Sequence, residues 1–379
     1  VPIMNSLTTP KSRPATVSER RPPVDGKIFI IGGYGQVGRA IAERLAPMFP
    51  GRVTVAGRSV TKATIVATRI GHGADGRAVD IFATGNADSL KDVALVIVCL
   101  DQTDTRFVER CLSRGIGYLD ISAEYAFLSQ VEQLDAVAKE NKATALLSVG
   151  VAPGLTNLLA ARACARMDHV DQLDILLELG LGDRHGQAAI EWMLDNLDAV
   201  YEVCENRRMK SVRSFAERLN LGFPGAKTTR AAYRFNFSDQ HVIARTLDVP
   251  SVSTWLRFEN RLSTWAFARS SQIGLGRLLR RRWWRRLAVW LFMNVHIGSD
   301  LCGVAVRATG RTKEGGTELM LGVTGRKEAL MTAIIAAEMA RQMLTTELAP
   351  GVHHSHQVIP FEPVITALQQ ELPGMSVSI

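Results

Sequence analysis

Gly33, Gly35 and Gly38 stand in the spacing G-x-G-x-x-G, directly after the apolar run Ile28-Phe29-Ile30-Ile31. Glycines so spaced hold a phosphate against bare backbone. The first allows a tight turn, the second removes a side chain where a diphosphate approaches, and the third lets the next helix pack closely on the strand. Tyr34, Gln36 and Val37 fill the rest of the loop. From Gln36 the apolar spacing turns helical, with Val37, Ile41 and Leu45 on one face. The loop therefore opens onto a helix N-terminus, whose free N–H groups and dipole favour an anion. The alternative is a glycine turn that only packs. The strand before it and the helix after it are the context that phosphate binding requires.

A second strand over 52–56 ends in Gly57-Arg58-Ser59. A carboxylate here would take a ribose 2′-OH and repel a 2′-phosphate, and none is present. Arg58 offers a guanidinium fork, and Ser59 and Lys62 add donors, so the pattern favours NADP over NAD. A solvated Arg58 beside an NAD site is the alternative. Asp80 lies near the end of a third strand, 77–82, and Leu100, Asp101 and Gln102 follow the apolar run 93–100. Ligands sit beyond the carboxyl ends of such strands, which places Asp101 and Gln102 near a nicotinamide.

Hydride chemistry needs one proton donor or acceptor from the protein. The Tyr-x-x-x-Lys solution is absent at Tyr125, which has Ser129 four residues on, and Tyr118 and Tyr233 also lack the lysine. The candidates left are polar groups at strand exits. Asp120 and Glu124 would hold a cationic amine or iminium, or would serve only as helix N-terminal carboxylates. Ser122 has the same two readings. Farther on, Arg230, Tyr233, Asp239, His241 and Arg245 cluster in sequence. Arg230 or Arg245 would bind a substrate carboxylate. His241 would donate a proton near neutral pH, against the ordinary case of a structural histidine. His353, His354 and His356 follow a Pro-Gly turn with no acidic neighbour in sequence, so they read as a loop and no metal site is expected.

These residues need elements to carry them. Strand and helix alternate to residue 167: helix 103–114, strand 118–121, helix 124–141, strand 143–149, then Gly150-Val151-Ala152-Pro153-Gly154-Leu155-Thr156-Asn157 and a helix. That order predicts an α/β fold with a Rossmann doubly wound parallel sheet. Beyond it, strands are expected at 172–181, 233–237, 302–309 and 317–324, and helices at 186–205, 328–345 and 362–372. Residues 1–26, with five prolines and four basic residues, read as a tail or arm.

GGYGQVG, the strand exit Tyr118-Leu119-Asp120-Ile121-Ser122 and the GxxPGLTN turn together resemble the saccharopine dehydrogenase-like oxidoreductases, which include saccharopine reductase, lysine 6-dehydrogenase and carboxynorspermidine synthase relatives. The resemblance runs from Lys27 to Met167 and continues more loosely through Phe223-Pro224-Gly225, 230–235, Ser238-Asp239 and Pro350-Gly351-Val352. It implies a Rossmann domain at 27–167 with 350–379 packing back on it, and a mixed α+β substrate and dimerisation domain at 168–349. It also implies NADP-dependent hydride transfer at a C=N/CH–NH carbon of an amine or amino-acid-derived small molecule, with Tyr125, Pro153, Gly154, Arg230, Tyr233 and Asp239 toward the substrate. An NADPH-dependent ketone reductase is the runner-up. A non-catalytic nucleotide-binding protein at a membrane or partner is the third reading.

With 379 residues and a net charge of +8, the chain has room for two domains, and the charge fits an anionic cofactor or substrate as well as it fits nucleic acid. No nucleic-acid-binding module is recognisable. Five scattered cysteines, no secretory signal and no apolar run of membrane-spanning length point to the cytoplasm. Residues 277–286 hold six arginines and two tryptophans before an apolar stretch to Val295. As a helix, Leu279, Trp283, Leu287, Trp290 and Leu291 share a face, and Arg281, Arg282 and Arg285 fall mostly opposite. Such a segment lies on an anionic membrane, or packs its apolar face on the sheet or a second subunit. The apolar surface expected on the second domain suits a homodimer.

Overall fold

Ile28 and Ile30 turn to one side of their strand and Phe29 and Ile31 to the other, and all four are fully buried. Both faces must therefore be covered, as in a parallel sheet flanked by helices. The computed structural model describes residues 25–83, 90–183, 186–279, 281–294, 297–313 and 315–379. The tail expected at 1–26 lies outside them except for its last two residues, as do His185 and His296.

In chain order the first layer contains β1 (Lys27–Ile31), α1 (Gln36–Met48), β2 (Val53–Gly57), α2 (Val60–Ile70), β3 (Asp75–Ala78), β4 (Val93–Val98), α3 (Arg106–Leu112), β5 (Gly117–Asp120), α4 (Tyr125–Glu132), α5 (Asp135–Glu140), β6 (Thr144–Leu147) and α6 (Thr156–Cys164). There follow β7 (His169–Leu181), α7 (Gln187–Asp195), β8 (Val200–Glu205), β9 (Arg208–Arg213), β10 (Arg218–Leu221), β11 (Arg230–Arg234), α8 (Ser238–Thr246), β12 (Ser251–Phe258), α9 (Arg261–Gln272), α10 (Gly276–Leu279), α11 (Arg282–Asn294), β13 (Ile297–Thr312) and β14 (Gly315–Arg326). The chain ends with α12 (Glu328–Thr345), β15 (Gly351–His354), α13 (Ser355–Val358), α14 (Phe361–Glu371) and β16 (Ser376–Ser378).

Among the described residues the strands form two seven-stranded sheets and a hairpin. The first sheet runs β15-β6-β5-β4-β1-β2-β3, all parallel. This is the expected doubly wound sheet with β15 added beside β6. β1 pairs with β2 on one side and β4 on the other. That reversal of strand order opens a crevice at the carboxyl ends, where ligands bind in such folds. The second sheet is mixed, in the order β10-β11-β12-β7-β13-β14-β16. Leu173, Ile175 and Leu177 of β7 belong to the large core, which also takes in Ile28, Ile30, Ile41 and Leu45 under the first sheet.

Several expected elements are corrected. The third strand is 75–78, so Asp80 follows it. The helix expected at 103–114 spans only Arg106–Leu112, and the one expected at 124–141 is two, α4 and α5. The helix expected at 186–205 ends at Asp195, and 200–205 is a strand paired with β9. His353 and His354 lie on β15 and His356 on α13, not in a loop. α12, expected in the second domain, packs along α1. β16 joins β14, so residues 350–379 divide between the two sheets.

Candidate active site

The glycine turn is built by exclusion. A Cβ at Gly33 would sit 2.6 Å from the Ile30 carbonyl oxygen, and one at Gly38 would sit 2.5 Å from that of Gly32. The left-handed residue of the turn is Gly32 (φ 76°), one position before the motif, not Gly33. Gly35 caps α1 without a side-chain hydrogen bond, and the first turn of α1 has no acidic residue. The helix therefore presents uncapped N–H groups to the crevice, as a diphosphate needs. Above it the Tyr34 ring lies over Gly57, where a Cβ would come within 2.5 Å of the ring. Arg58 projects from the end of β2 and is exposed. The Ser59 hydroxyl accepts from the Lys62 N–H (3.3 Å) and starts α2.

A cleft of about 650 Å³ opens from this turn. Of the residues singled out for the cofactor, Tyr34, Gly35, Gln36, Val37, Gly38, Arg58, Asp80, Leu100 and Asp101 line it. Gly33 packs beneath, and Ser59 and Lys62 stand beside Arg58 off the wall. The Asp80 carboxylate is turned to its own loop, accepting from the Phe82 N–H at 3.0 Å. Opposite stand Leu177, Leu179 and Leu181 of β7, Leu256 and Phe258 of β12, Phe235, Phe237, Ile190, Trp192 and Phe292. Among the described residues Arg58 is the one cationic side chain on the lining.

Sequence reasoning missed the floor supplied by α12. Glu328, Ala329 and Thr332 line the cleft beside Val149–Pro153. Thr332 Oγ1 accepts from the Val151 N–H (3.3 Å) and donates to Glu328 Oε1 (3.1 Å). Nothing local in the sequence marks a helix N-terminus so distant from the glycines. Trp192, also missed, donates its indole N–H to Glu124 Oε2 at 3.2 Å.

The expected catalytic and substrate residues are placed as follows. Asp120 is fully buried below the cleft. It accepts from the Tyr118 hydroxyl, from Gln102 Nε2 (2.8 Å) and from the Ser122 N–H (2.6 Å). Burial pushes its carboxyl up to about 6, against the pull of those donors. Gln102 also reaches the Tyr118 oxygen (2.6 Å) and is buried with them. Asp120 and Gln102 thus position the strand exit and do not face the cleft, whereas Ser122 does. The other Glu124 oxygen accepts from the Ala126 N–H (3.3 Å), so Glu124 is both a cap and a bridge to α7.

His241 stacks on Tyr125 and shares a hydrogen bond with Asn236 Oδ1 (3.0 Å). Burial drives its imidazole down to about 4, so it is neutral near pH 7 and off the cleft lining. Glu124, Tyr125 and His241 are thus brought together, in a seam between α4 and the second layer. Arg245 extends that seam, donating to both oxygens of Glu132 at 2.7 Å. Glu132 in turn accepts from His354 Nε2 (2.9 Å), so an acidic partner meets the histidines in space though not in sequence.

Arg230 is committed elsewhere: it donates to Glu178 (2.8 Å) and to the carbonyls of Phe258 (3.1 Å) and Glu259 (2.6 Å). Tyr233 packs on Phe215. Asp239 is fully buried, accepting from Thr254 Oγ1 (2.6 Å) and the Gln240 N–H (2.8 Å). None of these three lines the cleft. Pro153 does line it, and Gly154 sits just behind, its N–H held by Asn157 Oδ1 at 2.9 Å. Asp101 stands at the open side of the cleft. Desolvation by the surrounding walls raises its carboxyl, and Glu124, Glu191 and Asp195 push it the same way.

Residues 28–146 match the family described as saccharopine dehydrogenase NADP binding domain. No curated protein matches the chain by sequence. Apo saccharopine dehydrogenase (L-Glu forming) from Saccharomyces cerevisiae superposes with a TM-score of 0.64 at 13% identity, over 93% of this chain and 100% of that one. The amine dehydrogenase of Mycobacterium smegmatis superposes at 0.46 with 10% identity, over 86% and 94% of the two chains. The C. glutamicum DAP dehydrogenase does so at 0.45 with 14% identity, over 91% and 98%. Only the first is close enough to speak to the fold, and it shares both layers.

Proposed function

We propose, from the premise that the chain is a saccharopine dehydrogenase-like oxidoreductase with an NADP-binding domain at residues 28–146, that it transfers hydride at a C=N/CH–NH carbon of an amine with an apolar body. The observation that carries this reading is the division of the lining: among the described residues one cation, Arg58, at the phosphate end, and hydrocarbon from β7, β12 and α7 facing Asp101 at the other. When bound, NADPH supplies hydride to the C=N carbon, whose nitrogen takes the electron pair and a proton. Arg58 would hold the 2′-phosphate and the α1 N-terminus the diphosphate. Asp101 would hold the cationic nitrogen, and its carboxyl, raised by desolvation and by the neighbouring carboxylates, stands where it could pass a proton to that nitrogen. Leu179, Phe235 and Phe258 would exclude water from the reacting carbon.

An amino-acid carboxylate fits less well than an uncharged body, because Arg230 is already paired with Glu178. The apolar wall also suits a ketone, which keeps carbonyl reduction as the second reading. Turnover of apolar imines and of matched ketones with NADPH, by wild type and Asp101→Asn, separates the two. Imine turnover that falls about tenfold or more without Asp101 supports the first. Ketone turnover indifferent to Asp101 supports the second.

A further inference from the structure

Between Asn260 and Ser299 the chain carries eight arginines and no aspartate or glutamate. Within this run α11 presents two unlike faces. The inner face packs on α7: Arg285 pairs with Asp195 (2.9 Å), Val289 meets Ile190 and Leu194, and Phe292 reaches the cleft. The outer face carries Trp283, Leu287, Trp290 and Leu291, exposed by 57%, 41%, 58% and 43%. Of the alternatives left open for this face, these four residues do not pack on the sheet; they are turned to solvent. Arg281, Arg282 and Arg286 are exposed alongside it.

We propose that this face docks on an anionic lipid surface. Tryptophan and leucine flanked by arginine suit the boundary between headgroups and acyl chains. The helix has 13 residues, about 20 Å long against a hydrocarbon core of about 30 Å, so it lies in the plane of the surface. Among the described residues no helix is long and apolar enough to cross a membrane. A two-fold contact with a second copy through the same face would bring like charges together with no acid in the segment to offset them, whereas anionic headgroups complement it. Docking would also place Phe292, and with it the apolar wall of the cleft, close to a source of hydrophobic substrate. That last consequence rests on the function proposed above; the docking does not.

The test is co-sedimentation of the full chain with vesicles of phosphatidylcholine alone and of phosphatidylcholine with phosphatidylglycerol. Each sample is also titrated with NADPH. Binding is expected to the mixed vesicles at low salt, fading as salt rises. Arg282→Gln and Arg286→Gln should each weaken it about fivefold, and Trp283→Ser with Trp290→Ser should abolish it, with NADPH binding unchanged in every variant. No binding to the mixed vesicles at low salt overturns the proposal, as does equal binding to both vesicle types. So does a dimer in sedimentation velocity that Trp290→Ser dissociates, since a second copy would then own the face. Lipid binding without NADPH binding would sink the enzymatic reading and leave this one standing.

Discussion

The imidazole of His241 lies flat on the phenol of Tyr125, with ring centroids 4.5 Å apart and planes 17° from parallel. The stack joins α8 of the second layer to α4 of the first at the margin of the cleft. Its chemistry is that of a packed neutral ring. With the folded value near 4 and the ordinary value at 6.5, the stabilisation is complete above pH 6.5 and is lost as pH falls toward 4. His241→Gln should remove up to about 3 kcal/mol of that acid sensitivity. Urea unfolding at pH 7 and pH 4.5 checks it; equal acid sensitivity in both proteins would place the titration elsewhere.

Asp120 titrates in the opposite sense. Its folded value near 6 lies above the ordinary 3.8, so its contribution is full below pH 3.8 and is lost as pH rises through 6. Asp120→Asn also turns an amide toward the Tyr118 and Gln102 donors, a cost of about 1–3 kcal/mol. The gap between wild type and variant should be widest near pH 4 and narrow by about 3 kcal/mol by pH 7. Denaturant titrations at the two pH values would show a constant gap if the carboxyl were unshifted.

Arg58→Ala should weaken NADPH binding at least about tenfold, the weight of a charge-assisted hydrogen bond, and leave NADH binding nearly unchanged. Fluorescence titration with each nucleotide is the measurement. Parallel losses for both would make Arg58 a general support of the loop and not a reader of the 2′-phosphate.

Gly38→Ala drives a methyl to 2.5 Å from the Gly32 carbonyl oxygen, where backbone must move. We expect a loss of about 1–3 kcal/mol in thermal or denaturant unfolding, and nucleotide binding impaired beyond detection. Normal nucleotide affinity in the variant would show that the turn has room to relax.

Glu132→Gln leaves Arg245 and His354 without their shared carboxylate. One partner lies on α8 and the other on β15, so the loss of about 1–3 kcal/mol should appear as looser attachment of the C-terminal strand. Amide hydrogen exchange across 351–354, faster in the variant than in wild type, reads it directly.

The parts of this molecule legible in its sequence are those where burial and residue type agree. β1, its glycine turn and α1 announce themselves, as do the apolar β4 and the Pro153-Gly154 turn. β12 did not: all eight of its residues are buried, yet they alternate Ser251, Ser253 and Arg257 with apolar neighbours. Arg257 is tolerable inside because Glu178 accepts from it at 2.6 Å across the sheet, a pairing between residues far apart in sequence. The same carboxylate takes Arg230, which is why a residue typed as a substrate clamp serves as a sheet fastener. The cofactor end of the cleft is local in sequence and could be read there. The far end is assembled from α7, β12, α11 and α12, and only the fold brings those side chains together.

The position of β15 bears on how the chain comes to be folded at all. Thr144 of β6 hydrogen-bonds through its side chain to Ala349, 205 residues later, and the strand that follows Ala349 closes the sheet beside β6. A nascent chain that has delivered every element from β1 to β6 still lacks the strand that pairs with the outer side of β6. That side of β6 stays unpaired until residues 351–354 have been made. The last step of the sheet's assembly therefore waits on a distant strand and is slow, because closing so long a loop costs entropy before any contact repays it. During that interval the unpaired edge of β6 is a place where a second nascent chain, or a chaperone, would meet this protein.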